Sequence, residues 1–272
     1  MKAFLKRIAP EPLWRAVRET FDGLARLPEF PTAYLHPWRR QSIRNLNNLR
    51  DQYRGQRCFI IGNGPSLRQT DMTKLRNEYT FGMNRFYLAF PELGFMTTYL
   101  VMVNDLVIEQ CRDEILALPL PKFLCWRSRH FFQPDFDPAA NNLNFLYATW
   151  TGSRFHGNAA GRLWEGGTVT YITLQLAFHM GFEQVILIGV DHDYVTKGEA
   201  NKTVMSDGDD PNHFHPNYFG KGFKWQLPDL VSSEHAYHMA KRAYETAGRQ
   251  VLDATVGGKL TVFPKVDYTS LF

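Results

Sequence analysis

Several polar groups in this chain follow short apolar runs and could do chemistry together. They are Asn63 and Ser66 within Gly62-Asn63-Gly64-Pro65-Ser66, then Asn84, Asn104-Asp105, and Asp191-His192-Asp193-Tyr194. A second glycine turn, Gly166-Gly167-Thr168, opens an apolar-periodic stretch, and His213 and His215 lie in a polar loop. Asparagine amides both donate to phosphate oxygens and accept from a base edge. A glycine turn leading into a helix start presents backbone N–H groups and a positive dipole end to an anion. A loop imidazole titrates near neutral pH and takes protons. The combination predicts a phosphate-bearing ligand and a proton transfer beside it. In the first turn, Gly62 and Gly64 permit positive φ and close approach of a ligand, and Pro65 suits a first helical position. The pattern is neither the three-glycine dinucleotide fingerprint nor a P-loop, which needs a Lys-Ser/Thr. By itself it is equally compatible with a structural turn.

The elements that must position these groups read as alternating strands and helices. Strands are expected at 58–61, 79–83, 99–103, 122–126, 144–147, 184–189 and 250–252. A helix follows Asn104-Asp105 to about Leu118. Another begins at Thr168, with Val169, Ile172, Leu176, Ala177 and Met180 at helical spacing and Gly181 placed to close it. A third runs from Asp229 to Gly248. Between Val190 and Pro228 lies a His- and Gly-rich segment, and its part from about 195 to 228 is expected to be an irregular lid carrying Phe219, Phe223 and Trp225. Such alternation implies an α/β fold with an open, doubly wound, mostly parallel sheet. Ligands in such sheets bind beyond the carboxyl ends of the strands, where the polar groups named above fall.

Ahead of that domain, assigned to 55–272, residues 1–54 read as a basic N-terminal helical extension. A helix at 11–27 with Leu13, Val17, Phe21 and Leu24 on one stripe is broken by the proline-rich stretch Pro28 to Pro37. A polar helix follows at 39–54. Residues 1–50 carry ten Lys/Arg against four acids, and the remaining 222 residues sum to about −2, for +4 overall. The extension is a solvated helix pair, lies on anionic lipid, or packs as an amphipathic helix on the main domain. The three cysteines are widely spaced and form no CxxC, which argues against a disulfide framework or a zinc ribbon and for a reducing, cytoplasmic setting. No run reaches the roughly 18 apolar residues of a spanning helix. Aromatics are not interleaved with Lys/Arg as in RNA modules, so no nucleic-acid partner is expected.

GNGPSL after a strand, Asn84-Arg85-Phe86-Tyr87, the Gly167-Thr168 turn and the helix that feeds VILIGVDHDY resemble the bacterial family 42 sialyltransferases. The motility-accessory-factor glycosyltransferases are similar, as is the wider superfamily holding archaeal MptE-like 6-hydroxymethylpterin diphosphokinases. The resemblance covers about Arg57 to Gly248. It implies a Rossmann-like, GT-A-type variant and metal-independent inverting transfer of an acidic sugar from a CMP-activated donor to a glycan or glycoprotein hydroxyl, with no cofactor. Under it, Asn63, Asn84 and Asn104 contact the CMP part, and Gly62, Gly64, Ser66, Asp105, Gly167 and Asp191 line the donor site. Thr168 holds the anionic donor, Tyr194 stabilises the leaving phosphate, and His213 or His215 is the base. The kinase branch implies ATP with Mg²⁺, for which Asp105, Asp191 and Asp193 are the natural holders. A third reading is a non-catalytic nucleotide-binding protein of polysaccharide assembly. A homo-oligomer is left open by the sequence.

Overall fold

Alternation along the central strands builds two cores at once. In β1 (Arg57–Ile61), Cys58 and Ile60 enter one core and Phe59 and Ile61 the other. Val185 and Leu187 divide from Ile186 and Ile188 in the same way in β7 (Gln184–Ile188). Strands buried on both faces require a parallel sheet with cover on each side. The remaining strands are β2 (Tyr79–Met83), β3 (Tyr99–Met102), β4 (Lys122–Cys125), β5 (Leu143–Thr149), β6 (Arg162–Trp164) and β10 (Gln250–Asp253). All are parallel, in the order β10-β7-β1-β2-β3-β4-β5-β6. This computed structural model describes residues 17, 20, 21, 24, 27–149, 154–195, 198–208 and 210–272.

Five helices of seven residues or more stand among the described residues: α1 (Glu29–Leu35), α2 (Pro37–Leu49), α3 (Asp105–Ala117), α4 (Val169–Met180) and α5 (Leu230–Thr246). Helices α4 and α5, with Leu46 of α2, cover one face, and α3 and Ala33 of α1 pack on the other. Helix α4 ends at Gly181, whose left-handed backbone (φ 96°) accommodates the C-cap, and the Gly181 N–H donates to Ala177 O and Phe178 O. No described helix is long and apolar enough to cross a membrane.

The structure departs locally from some of these expectations. Residues 29–35 are helical, because Pro31 lies in the first turn of α1 and Pro37 at the first position of α2, where no intrahelical N–H is needed. Helix α2 packs on the sheet, one of the arrangements expected for the extension, with Ser42 Oγ accepting from Phe145 N–H at 2.9 Å. After the first glycine turn comes only a five-residue 3-10 segment, Pro65–Gln69. The lid segment holds an antiparallel hairpin of β8 (Thr203–Met205) and β9 (Lys224–Gln226). Its Tyr218, Phe219, Trp225 and Leu227 are buried in the core on the α3 face. Arg85 donates to Asn217 O and Tyr218 O, Gln110 Nε2 to Lys224 O, and Arg68 to His213 O and Phe214 O. The segment is therefore a fastened wall. The helix expected at 11–27 and the basic residues before Val17 lie for the most part outside the described residues.

Candidate functional site

The chain runs from β1 toward β2 on one side, while β7 pairs with β1 on the other. Loops leaving β1 and β7 therefore diverge, and the crevice between them is where an open α/β sheet binds ligands. A cleft of about 680 Å³, counting the solvent space at its mouth, opens there. It is lined from β1 by Gly62 to Gly64, from β2 by Met83 and Asn84, and from β7 by Gly189 to Tyr194. The start of α4 contributes Gly167 to Thr170, α5 contributes Ser233 and Tyr237, and the hairpin wall contributes Asn212, His213 and Tyr218.

The first glycine turn spends its donors within the protein. Gly62 N–H donates to Ile188 O at 2.7 Å and Gly64 N–H to Gly189 O at 2.9 Å. Ser66 donates to the Asp191 carboxylate twice, from N–H at 3.1 Å and from Oγ at 2.7 Å. Asp191 thus occupies the place expected for a ligand anion, and Ser66 is buried away from the cleft lining. Neither Gly62 nor Gly64 has positive φ. They are needed because a Cβ at Gly62 would meet Gly189 O at 2.1 Å, and one at Gly64 would meet Asp191 Oδ2 at 1.7 Å. Burial, outweighing the Ser66 hydrogen bonds, raises the Asp191 pKa.

The second glycine turn is built differently. Gly166 and Gly167 are both left-handed (φ 54° and 76°), and Thr168 caps α4, its Oγ1 accepting from Thr170 N–H at 3.2 Å. The turn faces the cleft, with Tyr237 Oη donating to Thr168 Oγ1 at 3.5 Å. Glu165, immediately before it, is ion-paired with Arg127, which also bonds Asp105 at 2.6 Å and Val103 O. This is the role of Asp105: it anchors the guanidinium that fixes the turn, and it does not line the cleft.

Of the three asparagines, two converge. Asn63 Nδ2 donates to Met83 O at 3.0 Å, directly before Asn84. Asn63 Oδ1 and Asn84 Oδ1 are both buried with no partner. A buried acceptor without a partner costs about 1–3 kcal/mol, so these two oxygens lack a donor among the described residues. Asn104 is elsewhere. Its Oδ1 accepts from Leu106 N–H as the cap of α3, and its Nδ2 donates to Gln226 at 3.3 Å.

The two loop histidines also separate. His213 lines the cleft, is 7% exposed, lies 3.9 Å from the Tyr218 ring in a stack, and has Nδ1 2.8 Å from both carboxylate oxygens of Asp210. His215 is outside the lining, its Nδ1 accepting from Asn217 N–H. Tyr194 lines the cleft, and burial pushes its phenol well above the usual range, keeping it a donor. Sequence reasoning missed Asp210 and Tyr237 and gave His192 no role of its own. The spacing Asp210-x-x-His213 could have flagged the first.

Among the described residues the lining contains no lysine or arginine and two carboxylates, Asp191 and Asp193. Among the described residues no three His, Cys, Asp or Glu side chains come together as a metal set. The trio Asp105, Asp191 and Asp193 is not assembled, because Arg127 holds the first and Ser66 the second.

No family model matches this chain, and no curated protein does. Among solved structures it is similar to one described as the MAf glycosyltransferase from Magnetospirillum magneticum AMB-1, at 13% identity and a TM-score of 0.49. The match covers 86% of this chain and 39% of that one, so this chain spans about two fifths of that protein's length.

Proposed function

We propose that the protein is a glycosyltransferase that moves an acidic sugar from a CMP-type donor to a hydroxyl acceptor without a metal. The observation that carries the reading is the cleft between β1 and β7, which a carboxylate-backed imidazole, a helix start and the asparagines Asn63 and Asn84 line together. The amide oxygens of Asn63 and Asn84 suit the exocyclic amine of cytosine. The start of α4 with Thr168 suits a single phosphodiester charge. A diphosphate would find no lysine or arginine among the described residues of the lining, the cationic partners that such groups take.

In this reading Asp210 fixes Nδ1–H of His213, so Nε2 takes the proton of the acceptor hydroxyl. The acceptor oxygen bonds the anomeric carbon as the bond from that carbon to the phosphate oxygen breaks, and CMP departs with the electron pair. Thr168, Tyr194 and Tyr237 donate to the phosphate as its charge grows. A Mg²⁺–ATP kinase reading finds no assembled carboxylate set here.

Ligand-dependent melting tests the donor class. CMP at about a hundred times its Kd should raise Tm by about 5 °C without metal, while ATP with Mg²⁺ should not. His213→Asn should lower donor-dependent transfer by about 10²–10⁴-fold with CMP binding retained. Stabilisation by Mg–ATP alone would replace the reading.

A further inference from the structure

Two of the holds on His213 act on its ring: Asp210 takes Nδ1 at 2.8 Å, and Tyr218 stacks on one face at 3.9 Å. A third acts on its backbone and comes from the segment after β1. In the peptide that follows His213, both polar groups are taken. Phe214 N–H donates to Asn63 O at 2.8 Å, and His213 O accepts from Arg68 Nη2 at 2.9 Å. Arg68 Nε donates to the next carbonyl, Phe214 O, at 2.8 Å. A peptide is planar, so holding its N–H and its C=O fixes ψ of His213 and with it the direction from which the imidazole enters the cleft. Arg68 itself is exposed, in the 3-10 segment Pro65–Gln69, and stands outside the cleft lining. Two residues earlier, Ser66 binds Asp191 in the loop after β7. One short segment thus grips both the loop that bears Tyr194 and the wall that bears His213. Arginine suits the place, because its rigid planar fork meets two successive carbonyls that a lysine would reach one at a time.

We propose that Arg68 is the positioning residue of the base: from outside the cleft it aims His213 at the acceptor hydroxyl. The inference rests on the transferase reading, in which Nε2 of His213 takes the acceptor proton. Removing the guanidinium leaves Asp210 and Tyr218 in place but frees one edge of the peptide after His213. The imidazole then samples directions in which Nε2 no longer meets the acceptor. A misplacement of about 1 Å, made by a residue away from the chemistry, can cost about a hundredfold in rate. Asn63 keeps its bond to Phe214 N–H, and Arg68 does not line the cleft. The loss therefore falls on turnover and spares nucleotide binding.

The test follows CMP release from CMP-sialic acid by wild type, Arg68→Ala and Arg68→Lys, with CMP binding measured by calorimetry. Arg68→Ala should lower kcat by about 10- to 100-fold while the Kd for CMP stays within about two-fold of wild type. Arg68→Lys, which can keep one of the two bonds, should fall between them. Guanidinium chloride below denaturing concentrations should restore part of the turnover of Arg68→Ala. Proton NMR of the His213 ring reads the same positioning without turnover. Stacked on Tyr218, its ring protons are shifted upfield, and Arg68→Ala should relax that shift. If wild type turns over and Arg68→Ala keeps its kcat, or loses kcat and CMP affinity together, the proposal is overturned and the transferase reading stands. If wild type releases no CMP, the transferase reading falls and the ring shift decides the proposal. A relaxed shift in Arg68→Ala then upholds Arg68 as the residue that aims His213, and an unchanged shift overturns it. Should Arg68→Ala fail to fold, Arg68→Lys carries both readouts.

Discussion

The two glycine turns of this molecule have similar composition and opposite uses. Gly62 to Ser66 ties β1 to β7, with the N–H groups of Gly62, Gly64 and Ser66 and the Ser66 hydroxyl taken by Ile188, Gly189 and Asp191. Gly166 to Thr168 turns through two left-handed residues to start a twelve-residue helix at the cleft. The first is a clamp that shapes the cleft, and the second brings a helix start into its lining. A motif with glycines and a hydroxyl therefore does not reveal its use. What separates the two is whether a neighbouring strand end has already taken the donors.

The largest effect that would sharpen this contrast is on stability. Gly62→Ala drives a Cβ into Gly189 O and should cost about 3 kcal/mol in denaturant unfolding, whereas Gly167→Ala, whose Cβ comes no closer than 3.2 Å to Ser232, should cost about 1 kcal/mol for its left-handed backbone. Gly167→Ala should also weaken CMP binding. Equal costs at the two positions would break the comparison. Next, Asp191→Ala strands two buried donors of Ser66 and should cost about 2–3 kcal/mol, while Asp191→Asn keeps an acceptor and costs less. If Asp191 instead coordinates a ligand, both variants should fold as well as wild type and bind nothing. A smaller change is expected for Thr168→Ala, about 1 kcal/mol from the lost cap of α4, accompanied by loss of CMP affinity in calorimetry. Asn104→Ala removes the cap of α3 at a similar cost, yet CMP affinity should not move, since Asn104 stands outside the cleft.

Much of the fold was legible because burial on both faces leaves continuous apolar runs. Tyr79–Met83 and the α4 helix closed by Gly181 follow directly from pattern and cap. The three-residue β6 and the β8–β9 hairpin are too short for periodicity to register. The prolines at 31 and 37 mislead because a proline in a first turn starts a helix as readily as it stops one. At the cleft, Asn63, Asn84, Thr168, Tyr194 and His213 were identifiable as polar residues at strand ends, helix starts and loops. That Asp210 folds against His213 in the lining while His215 stays outside it was not legible in the sequence. Removing Asn104 and Asp105 needed knowledge of Gln226 and Arg127, both distant in sequence. The pairing of Ser66 with Asp191 was not legible either, its partner being 125 residues away.

The most direct test of the account is a crystal structure of the complex with CMP. The phosphate is expected within about 3 Å of the backbone N–H groups at the start of α4 and the Thr168 hydroxyl, with the Ser66–Asp191 pair intact. A phosphate bound instead at Gly62 to Ser66, with Asp191 displaced from Ser66, would contradict it.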